Sequence, residues 1–377
     1  MLNKLILNNF KCFQNNHISF NSLTIFVGGN GVGKSSIVQS LLLSKQSLDT
    51  IFSTKNSTLL DEIEVELNGP YSLNMGYTKN ILSSNADSNT ISFSLINRIN
   101  QEAKLSFKFD ETYGEHLLKG HLEPVEDKTN IPLKGKLNYL SAERLGPRTG
   151  LPLTPTSDWH VGFQGEYTPH ILFRADNNNK GINPSLRIKE VPNKFSRQVE
   201  AWLQSIIPDL ELNFKVFEDV SMASLKYKNN SLDTDFITAP NTGFGISYTL
   251  PIIVAGLILS NEENATLIVE NPEAHLHPYG QSRIGRFLAN LTLCGMQVIV
   301  ETHSEHVING ARIEMAKRKK STDMKVNFLS LDKGDTRVTE IKTNEFGELS
   351  DWPLGFFDQE QQDLKELFQL KRENRRQ

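Results

Sequence analysis

The hydrophobic positions of the first fifty residues change from a period of two to a helical period. Leu5 and Leu7 alternate with polar residues, and Ile18 and Phe20 do the same, as in two half-buried strands. Residues 23–27 (LTIFV) form a continuous apolar run that is typical of a buried parallel strand. After the glycine cluster that follows, apolar side chains recur three to four positions apart, which predicts an amphipathic helix. The predicted order is strand, glycine loop, helix.

The middle of the chain predicts mostly short strands. Between residues 50 and 135, short alternating runs are separated by Asn, Ser, Asp and Gly, which predicts an antiparallel strand layer. The run KLNYLSAER at residues 136–144 contains a further strand, and the proline- and glycine-rich stretch after it excludes long regular elements. An amphipathic helix is predicted over residues 195–207, where Pro208 ends it.

The last third of the chain alternates between helices and apolar strands. The predicted strands cover residues 266–269 and 297–300, and the predicted helices cover residues 246–259, 281–291 and 307–320. Such a rhythm is typical of parallel strands joined by helical crossovers. The sequence therefore predicts an α/β fold for the segments that flank the strand-rich middle.

Composition narrows the class of protein. The chain has 377 residues, with 40 Lys+Arg against 44 Asp+Glu and a formal net charge of -4, so it lacks the basic excess of a general nucleic-acid binder. No apolar run approaches the length that spans a bilayer, and no cleavable leader pattern is visible. We therefore expect a cytoplasmic protein without membrane contact. Cys12 and Cys294 are the only cysteines, which predicts packed thiols rather than a disulfide framework or structural zinc.

The glycine cluster matches the phosphate-loop pattern G-x-x-x-x-G-K-[ST], placed between a buried strand and an amphipathic helix. In such a loop, backbone N–H groups and the helix N-terminus attract phosphate. Lys34 is expected to reach the outer phosphates, and Ser35 is expected to ligate Mg²⁺. The candidate residues for binding the nucleotide are Gly28, Asn30, Gly31, Gly33, Lys34, Ser35 and Ser36.

Two later strands end in polar residues that suit phosphate chemistry. Glu270 closes the strand TLIVE and is the candidate metal-side acid, while Glu273 or Asn271 is the candidate for holding the attacking water. The simpler alternative for Glu273 is a charge at a helix N-terminus. The next strand is followed by Thr302 and by His303, which is a candidate for sensing or stabilising a γ-phosphate.

These motifs together resemble the ABC-type ATPase heads of the SMC, RecF and OLD group. The resemblance rests on LILNNFKCF, the loop GGNGVGKS, an acid-ending strand followed by PEAHLHP, and ETHSEH. The runs LSAERLGPR and VIVETHSEHVINGARI and the tail DWPLGFFDQ are similar to predicted bacterial AAA-type ATPases that carry this tail, which are ATPase subunits of anti-phage defence systems.

The resemblance implies an ABC-type P-loop ATPase head, with a mixed sheet and helices, plus a β-rich and helical insertion lobe. In that organisation residues 1–50 and 241–330 form the ATPase core. Residues 51–240 form the insertion lobe, and residues 331–377 form a tail packed on the core.

The resemblance also implies a homodimer that closes around ATP and Mg²⁺. In such heads a signature motif of one subunit meets the nucleotide of the other, and the turn NTGFGIS occupies that place in this chain. Its candidate residues are Gly243, Gly245 and Ser247, and the hydroxyl role stays open between Thr242 and Ser247. The alternative is an ordinary glycine turn at a helix start.

One departure from the resemblance affects the chemistry. ABC heads place a glutamate directly after the metal-side acid, and this chain has Asn271 there. An amide cannot act as a general base, although it can orient water. Either Glu273 takes over that role, or hydrolysis is slow and the ATP-bound dimer is long-lived.

Four other features allow less specific predictions. Arg144 and Arg148 could line the nucleotide cleft or a partner surface, or form structural ion pairs. His275 and His277 predict packing at the dimer junction rather than a zinc site. The basic runs at residues 317–320 and 371–376 predict solvated faces. The apolar tail WPLGFF is expected to dock on the core.

The function that the resemblance implies is a dimeric conformational switch that hydrolyses ATP and regulates a separate effector, such as a nuclease or toxin, in bacterial anti-phage defence. The stretch after ETHSEH is too short for the Toprim nuclease domain that OLD nucleases attach. Two alternatives stay open. The first is a RecF-like repair or recombination ATPase that binds DNA, for which the charge gives no support. The second is a scaffold that binds ATP with little turnover.

Overall fold

A computed structural model describes residues 1–53, 62–108, 115–125, 127–232, 235–241, 243–332, 335–353 and 355–374. The strands within these ranges are β1 (Leu2–Phe10), β2 (Phe13–Ser19), β3 (Leu23–Gly28), β4 (Ile63–Glu66), β5 (Thr90–Asn97), β6 (Glu102–Lys108), β7 (Leu117–Leu122), β8 (Leu137–Leu140), β9 (Leu151–Pro152), β10 (Leu210–Phe217), β11 (Met222–Asn229), β12 (Ile237–Thr238), β13 (Thr266–Glu270), β14 (Gln297–Glu301), β15 (Met324–Asp332) and β16 (Asp335–Lys342). The helices are α1 (Lys34–Ser53), α2 (Thr168–Asn177), α3 (Phe195–Gln204), α4 (Phe244–Leu259), α5 (Pro278–Leu291), α6 (Glu305–Lys317) and α7 (Gln359–Asn374).

The core sheet has six strands in the order β16-β15-β3-β14-β13-β8. Its neighbouring strands are parallel, except that β16 returns antiparallel to β15 as a hairpin. The carboxyl ends of parallel strands meet at one edge of a sheet, where open α/β folds bind ligands. The ends of β3, β14 and β13 therefore lie side by side at that edge, as their sequence motifs predict.

A second, antiparallel sheet has the strand order β2-β1-β5-β6-β7-β4. It confirms the strand layer that the sequence predicts between residues 50 and 135, and it shows that the first two strands belong to the same layer. β1 pairs with both β2 and β5. A third, smaller sheet contains β10, β11 and β12, and β9 pairs with the opposite end of β11.

Both faces of the core sheet are buried, as a parallel sheet requires. Ile25 and Val27 point toward a core that α2 to α6 cover, and Phe26 between them points toward α1 and the antiparallel sheet. Ile268 and Ile299 contribute to this second core from the neighbouring strands. The continuous apolar runs of the sequence are therefore explained by strands that are covered on two sides.

The sheets correct two of the predicted domain boundaries. β8 lies within the predicted insertion lobe of residues 51–240, yet it pairs in parallel with β13 and forms the edge of the core sheet. β15 and β16 cross the predicted boundary at residue 330 and also belong to the core sheet. The sequence pattern does not assign these strands to a sheet, because a short apolar run does not show which other strands it pairs with.

Five of the seven described helices, α1 and α3 to α6, match predicted helices with small differences at their ends, whereas the sequence pattern did not predict α2 or α7. α3 ends at Gln204 rather than residue 207, since the residue before Pro208 is restricted away from helical geometry. α5 begins at Pro278, a residue type favoured in the first helical turn. α6 begins after Ser304, whose Oγ accepts hydrogen bonds from the N–H groups of His306 and Val307.

The C-terminal tail docks on the core only in part. Phe356 is buried, and its ring packs edge-on against Phe328 of β15 with centroids 5.7 Å apart. This contact confirms docking of the WPLGFF segment, in which Leu354 lies outside the described residues. Beyond it, α7 leaves Leu364, Leu367 and Phe368 exposed, so the prediction that the whole tail packs on the core does not extend to α7.

Two further findings concern membranes and thiols. Among the described helices, none is long and apolar enough to span a bilayer. α4 is apolar on all sides because it lies buried between α3, α5 and the core sheet. Cys12 and Cys294 are free thiols.

Candidate functional site

The loop between β3 and α1 has the tight backbone that its glycines predict. Gly28 and Gly33 adopt positive φ angles of 145° and 104°. A Cβ atom at Gly28 would lie 2.2 Å from the carbonyl oxygen of Leu329, and one at Gly33 would lie 2.6 Å from Cys12 Sγ. Only glycine fits these two positions without displacement.

Lys34, the first residue of α1, is buried at the centre of this loop. Its Nζ donates hydrogen bonds to the carbonyl oxygens of Gly28 and Gly29, at 2.9 and 2.7 Å. The same Nζ lies 3.5 Å from Oε1 of Glu301, which is also buried. The lysine ammonium therefore joins the loop to the end of β14.

Two buried carboxylates stand next to each other at the ends of adjacent strands. Glu270 ends β13 and Glu301 ends β14, and the two residues are paired in the parallel register. Tyr139 donates its hydroxyl hydrogen bond to Glu270 Oε1 at 3.2 Å. Burial, and next the neighbouring Glu301 charge, raise the pKa of Glu270 to about 7. Burial also raises the pKa of Glu301, although Lys34 and His303 oppose the shift.

The arrangement of these two acids is more favourable with a divalent cation bound between them than without one. Two carboxylates that burial has removed from water repel each other, and a shared cation relieves that repulsion. The described residues contain no group of three or more His, Cys, Asp or Glu side chains that could hold a metal ion. A cation here would therefore need other oxygens, and Mg²⁺ in nucleotide sites takes one or two carboxylates plus phosphate oxygens and water.

The turn after β13 presents an amide with an unsatisfied oxygen. Asn271 has a φ of 45°, and its N–H donates to the Glu301 carbonyl at 2.8 Å. Its side-chain Oδ1 is buried and has no hydrogen-bond partner among the described residues. A buried acceptor without a partner is costly, so this oxygen is suited to a water molecule or a ligand in the adjoining cavity.

Arg144 holds that turn in place through hydrogen bonds from its guanidinium group to backbone carbonyls. Its Nη1 donates to the carbonyl oxygens of Ser141 and Glu270, and its Nη2 donates to that of Asn271 at 2.5 Å. The guanidinium lies 5.3 Å from the ring centroid of Tyr248 on α4. Burial lowers the pKa of Arg144 to about 10, which leaves it charged at neutral pH. Each charge-assisted bond of this kind is worth about 1.5–3 kcal/mol.

Both oxygens of the Glu273 carboxylate accept hydrogen bonds from the segment after β14. Its Oε2 accepts from Thr302 Oγ1 at 2.6 Å, and its Oε1 accepts from the backbone N–H of His303 at 2.7 Å. The imidazole Nε2 of His303 lies 3.3 Å from Glu301 Oε1, and this side chain is partly exposed. Glu273 thus fixes the backbone from which His303 projects.

These groups surround one cavity of about 380 Å³ at the carboxyl edge of the core sheet. Asn271, Glu301 and His303 contribute to the wall on one side, and the phosphate loop forms the opposite side. The residues that line the cavity are Lys11, Cys12, Asn30, Gly31, Gly33, Lys34, Ser35, Ser36, Ala142, Glu270, Asn271, Glu301 and His303.

Comparison with known proteins identifies the kind of domain that this cavity belongs to. A family model described as AAA ATPase domain (AAA_15) matches residues 1–142 and 164–308, which is more than half of the chain. The chain belongs to the AAA ATPase domain family. A second model, described as a protein of unknown function (DUF3696), matches residues 320–367. Among curated proteins, none gives a significant match.

Solved structures show which architecture this AAA ATPase domain adopts. The Smc head bound to the C-winged helix domain of ScpA matches with a TM-score of 0.52 and 14% sequence identity, over 90% of this chain and 98% of that chain. An Smc head domain with an extended coiled coil, bound to the C-terminal domain of ScpA derived from Pyrococcus furiosus, also matches. Its TM-score is 0.50 and its sequence identity is 15%, over 90% of this chain and 96% of that chain. At such identities the likeness concerns the fold, which is that of an SMC-type ATPase head with mixed sheets and helices.

Most of the predicted nucleotide residues meet in the cavity of this ATPase domain. Asn30, Gly31, Gly33, Lys34, Ser35, Ser36, Glu270, Asn271 and His303 line it. Gly28 lies behind the loop, where it accepts from Lys34. Glu273 stands outside the cavity lining and reaches the cavity only through His303.

The described residues of the signature-like turn do not line the cavity at the phosphate loop of their own chain. Gly243 is exposed, and a Cβ there would meet nothing within 4 Å. Gly245 packs closely on the His275 carbonyl oxygen, 2.8 Å from where its Cβ would stand. Ser247 hydrogen-bonds to Tyr227 and lines a separate narrow cavity together with Arg148. Thr242 lies outside the described residues.

The remaining predicted features have structural explanations. Arg144 is neither a cleft residue nor half of an ion pair, since its bonds go to backbone carbonyls. His275 packs against the rings of Phe244 and Tyr248, with centroids 5.0 and 4.6 Å apart. Residues 317–320 are exposed, and two of them pair with acids, Arg318 with Glu314 and Lys320 with Asp323.

Sequence reasoning missed Glu301, Lys11 and Cys12. Glu301 ends an apolar strand as Glu270 does, so the repeated pattern of buried strand plus glutamate was the available signal. Lys11 and Cys12 come from the turn between β1 and β2, and that hairpin reaches the phosphate loop only because of long-range strand pairing. A local pattern does not report such a contact.

Proposed function

We propose that the protein hydrolyses ATP slowly at this site and that ATP closes a homodimer which regulates a separate effector. The observation that carries the proposal is the convergence of Lys34, Ser35 and the Glu270–Glu301 pair in one cavity at the carboxyl edge of a parallel sheet. A phosphate loop facing two buried acids is suited to a nucleoside triphosphate with a divalent cation.

Ser35, Glu270 and Glu301 are the residues that would hold Mg²⁺. The ion would supply charge neutralisation and orientation for the triphosphate. The unpartnered Oδ1 of Asn271 and the two closely placed carboxylates support this assignment, because all three gain an interaction when the site is filled. Lys34 would bind the outer phosphates, and loop N–H groups of residues such as Asn30, Gly31 and Gly33 would bind the rest.

Asn271 would orient the attacking water through its amide, without removing a proton from it. Glu273 is poorly placed to act as the base, since both of its oxygens accept hydrogen bonds from the residues after β14. Its role in this proposal is to position His303, whose imidazole projects toward the phosphate end of the cavity. Catalysis by orientation and charge alone, without a general base, favours slow turnover.

Phosphate release by the purified chain tests the enzymatic part directly. We expect slow release that requires both ATP and Mg²⁺ and that Lys34→Ala and Glu270→Gln each abolish. ATP binding without any release in the wild-type chain would favour the alternative of an ATP-binding scaffold. Release that continues in Lys34→Ala would show that the activity does not belong to this site.

A second subunit would complete the site from the signature-like turn. Gly243 and the ring of Phe244 are exposed at the start of α4 and do not line the cavity at the chain's own phosphate loop. A glycine at a helix N-terminus can approach a phosphate closely. Gly243 is therefore the residue that we propose faces the partner's nucleotide, while Gly245 and Ser247, which pack within their own chain, would hold the turn in place.

The effector is proposed to be a protein. The net charge of -4 does not favour nucleic acid, and the two Smc heads of similar fold are described as bound to ScpA domains. The tail segment that resembles ATPases of anti-phage systems motivates the defence role. Phage plaque assays on cells that express the chain together with its flanking genes test that role. Protection should be lost with Lys34→Ala, and protection that is equal for both chains would contradict it.

A further inference from the structure

A second cavity lies at the opposite end of α1 from the phosphate loop. Its volume is about 480 Å³. Lys45 and Asp49 of α1 form one wall, Leu137 and Asn138 of β8 form another, and residues 154–167 and the end of α4 complete it. Among the described residues, none lines both this cavity and the one at the phosphate loop.

Asn138 is the polar side chain of this cavity that lacks a partner. The residue is 2% exposed, and its Nδ2 has no hydrogen-bond partner among the described residues. It sits on the edge strand of the core sheet, where alternating neighbours are apolar and buried. Burying an amide donor without an acceptor costs about 1–3 kcal/mol, so the position is explained best by an acceptor that is supplied from outside the chain.

Most of the charged groups of the wall are already engaged in ion pairs or hydrogen bonds. Lys45 pairs with Asp49 at 2.5 Å, and Tyr71 also donates to Asp49. Lys136 lies 3.8 Å from Asp158. Glu262 pairs with Lys180 at 3.1 Å, and Glu166 accepts from the N–H of Gln164 at 2.9 Å. Asn138 Nδ2 is therefore a fully buried donor of this wall without a partner among the described residues, and several carboxylates keep free lone pairs.

Shape and charge narrow the class of ligand. The aromatic residues Tyr71, Trp159, Phe163 and Tyr167 line the cavity, which suits a planar ring. The wall carries four carboxylates against Lys45 and Lys136, and Lys180 pairs with one of the four, which leaves one excess negative charge that disfavours phosphate groups. The volume lies in the range of pockets that hold small organic ligands.

We propose that this cavity binds an unphosphorylated nucleoside, whose ring carbonyl or ring nitrogen accepts from Asn138 Nδ2. Amino and hydroxyl groups of the nucleoside would meet the free lone pairs of the carboxylates, such as those of Asp158 and Glu166. The site differs from the ATP site in location and in preferred charge.

The position of the cavity links its occupancy to the ATP site. Asn138 is followed by Tyr139, whose hydroxyl bonds to Glu270. The helix that contributes Lys45 and Asp49 begins at Lys34. A ligand held by Asn138 and α1 would therefore contact two elements that also form the phosphate-binding site.

Equilibrium dialysis of the full chain tests the proposal with adenosine, guanosine, cytidine and uridine as separate probes at up to millimolar concentration. At least one nucleoside should bind, and its binding should persist at saturating ATP and in the Lys34→Ala variant, because neither fills nor alters this cavity. Asn138→Leu and the nearly isosteric Asn138→Asp should each weaken binding by about tenfold or more, because both remove the donor.

Thermal unfolding supplies a readout that does not depend on the ligand. Asn138→Leu should unfold at the same temperature as the wild type or higher, since it removes an unpaired buried donor. Asn97→Leu is the control, because Asn97 is similarly buried at the end of β5, but its Nδ2 donates to the Asn130 carbonyl at 2.9 Å and its Oδ1 accepts from the N–H of Gln101 at 2.9 Å. This control should unfold at a lower temperature.

Four results would overturn the proposal. The first is that none of the four nucleosides binds, and the second is that both Asn138 variants bind the nucleoside as tightly as the wild type. The third is that ATP or Lys34→Ala abolishes nucleoside binding. The fourth is that the nucleoside monophosphate binds as tightly as the nucleoside. A large loss of stability in Asn138→Leu would also contradict it, because that loss would show that the amide already has a partner within the protein.

Discussion

The pair formed by Glu270 and Glu301 connects strand register to the chemistry of the cavity. Parallel pairing of β13 with β14 places the two carboxylates at the same level, and burial makes their simultaneous ionisation costly. Lys34 offsets part of that cost from the side of Glu301. The site is therefore electrostatically unfavourable when empty at neutral pH, and it gains most when a cation enters.

This electrostatic balance predicts a pH-dependent effect of Glu270→Gln on stability. The pKa of Glu270 rises from an ordinary 4.5 to about 7 on folding, so between these values the folded chain binds the proton and the unfolded chain does not. Wild-type stability should therefore fall as the pH rises through that window. Glu270→Gln should be more stable than wild type at pH 8, by on the order of 1–3 kcal/mol, and the difference should shrink toward pH 5.

Urea unfolding of both chains at the two pH values, without nucleotide or Mg²⁺, measures the effect. The substitution keeps an acceptor for Tyr139, so a lost hydrogen bond would not obscure the comparison. A difference in the free energy of unfolding that is the same at pH 5 and pH 8 would contradict the assignment of the raised pKa to Glu270.

Glu273→Gln distinguishes a positioning role from a catalytic one. Loss of a general base lowers the rate by about 10²–10⁴-fold. Because the Glu273 oxygens hold Thr302 and the His303 backbone, we expect Glu273→Gln to retain ATP turnover within about tenfold of wild type. The pH dependence of the rate should also keep its shape. A thousandfold loss, together with loss of the acidic limb of the pH–rate profile, would establish Glu273 as the base.

At the scale of elements, two glycines allow α5 and α6 to approach each other closely. A Cβ atom at Gly310 would lie 1.9 Å from the Ser282 carbonyl oxygen, and one at Gly285 would lie 2.1 Å from that of Val307. The two helices follow β13 and β14, respectively, so their packing supports the strands that carry the two acids. The backbone contact leaves no room for a methyl group on either side.

Gly310→Ala should therefore destabilise the protein even though alanine favours helices. Steric overpacking in a close contact costs about 1–3 kcal/mol, against about 1 kcal/mol gained from helix propensity. Gly181→Ala is the control, because its Cβ would meet nothing within 4 Å. Urea unfolding should show a net loss for Gly310→Ala alone, and equal stability of the two variants would show that the helices can separate without cost.

The elements themselves were largely predictable, whereas their partners were not. The periodicity of hydrophobic residues and the positions of glycine and proline identified β3, β13, β14 and most helices. Buried parallel strands and amphipathic helices have distinct local patterns. The sheet that each short strand joins depends on pairing across long separations, as with β8 and with the β1–β2 hairpin. Lys34 and Glu270 belong to local motifs, so they were predicted. Lys11 and the hydrogen bonds from Arg144 to the Glu270 and Asn271 carbonyls depend on contacts across long separations, so they were not.

At the scale of the whole molecule, the site is proposed to be complete only in a pair. The exposed Gly243 does not line the cavity at the phosphate loop of its own chain. Gly243→Gln should leave the monomer intact, because its backbone φ of -69° accepts any residue and its Cβ meets nothing within the chain. It should nevertheless abolish ATP-dependent dimerisation in size-exclusion chromatography, while Gly181→Gln, an equally unobstructed position, should not.

Mixing two inactive chains tests the central claim most directly. Lys34→Ala lacks a working phosphate loop, and Gly243→Gln lacks a working signature-like turn, so each homodimer should fail to release phosphate from ATP. A mixed dimer has one composite site in which both elements are intact. Because neither variant pairs with itself on ATP, only mixed dimers form, and each has one working site of two, so mixing should restore activity to at most about half of the wild type. Activity that stays at zero on mixing, or full activity of Gly243→Gln alone, would contradict a site shared between two copies of this chain.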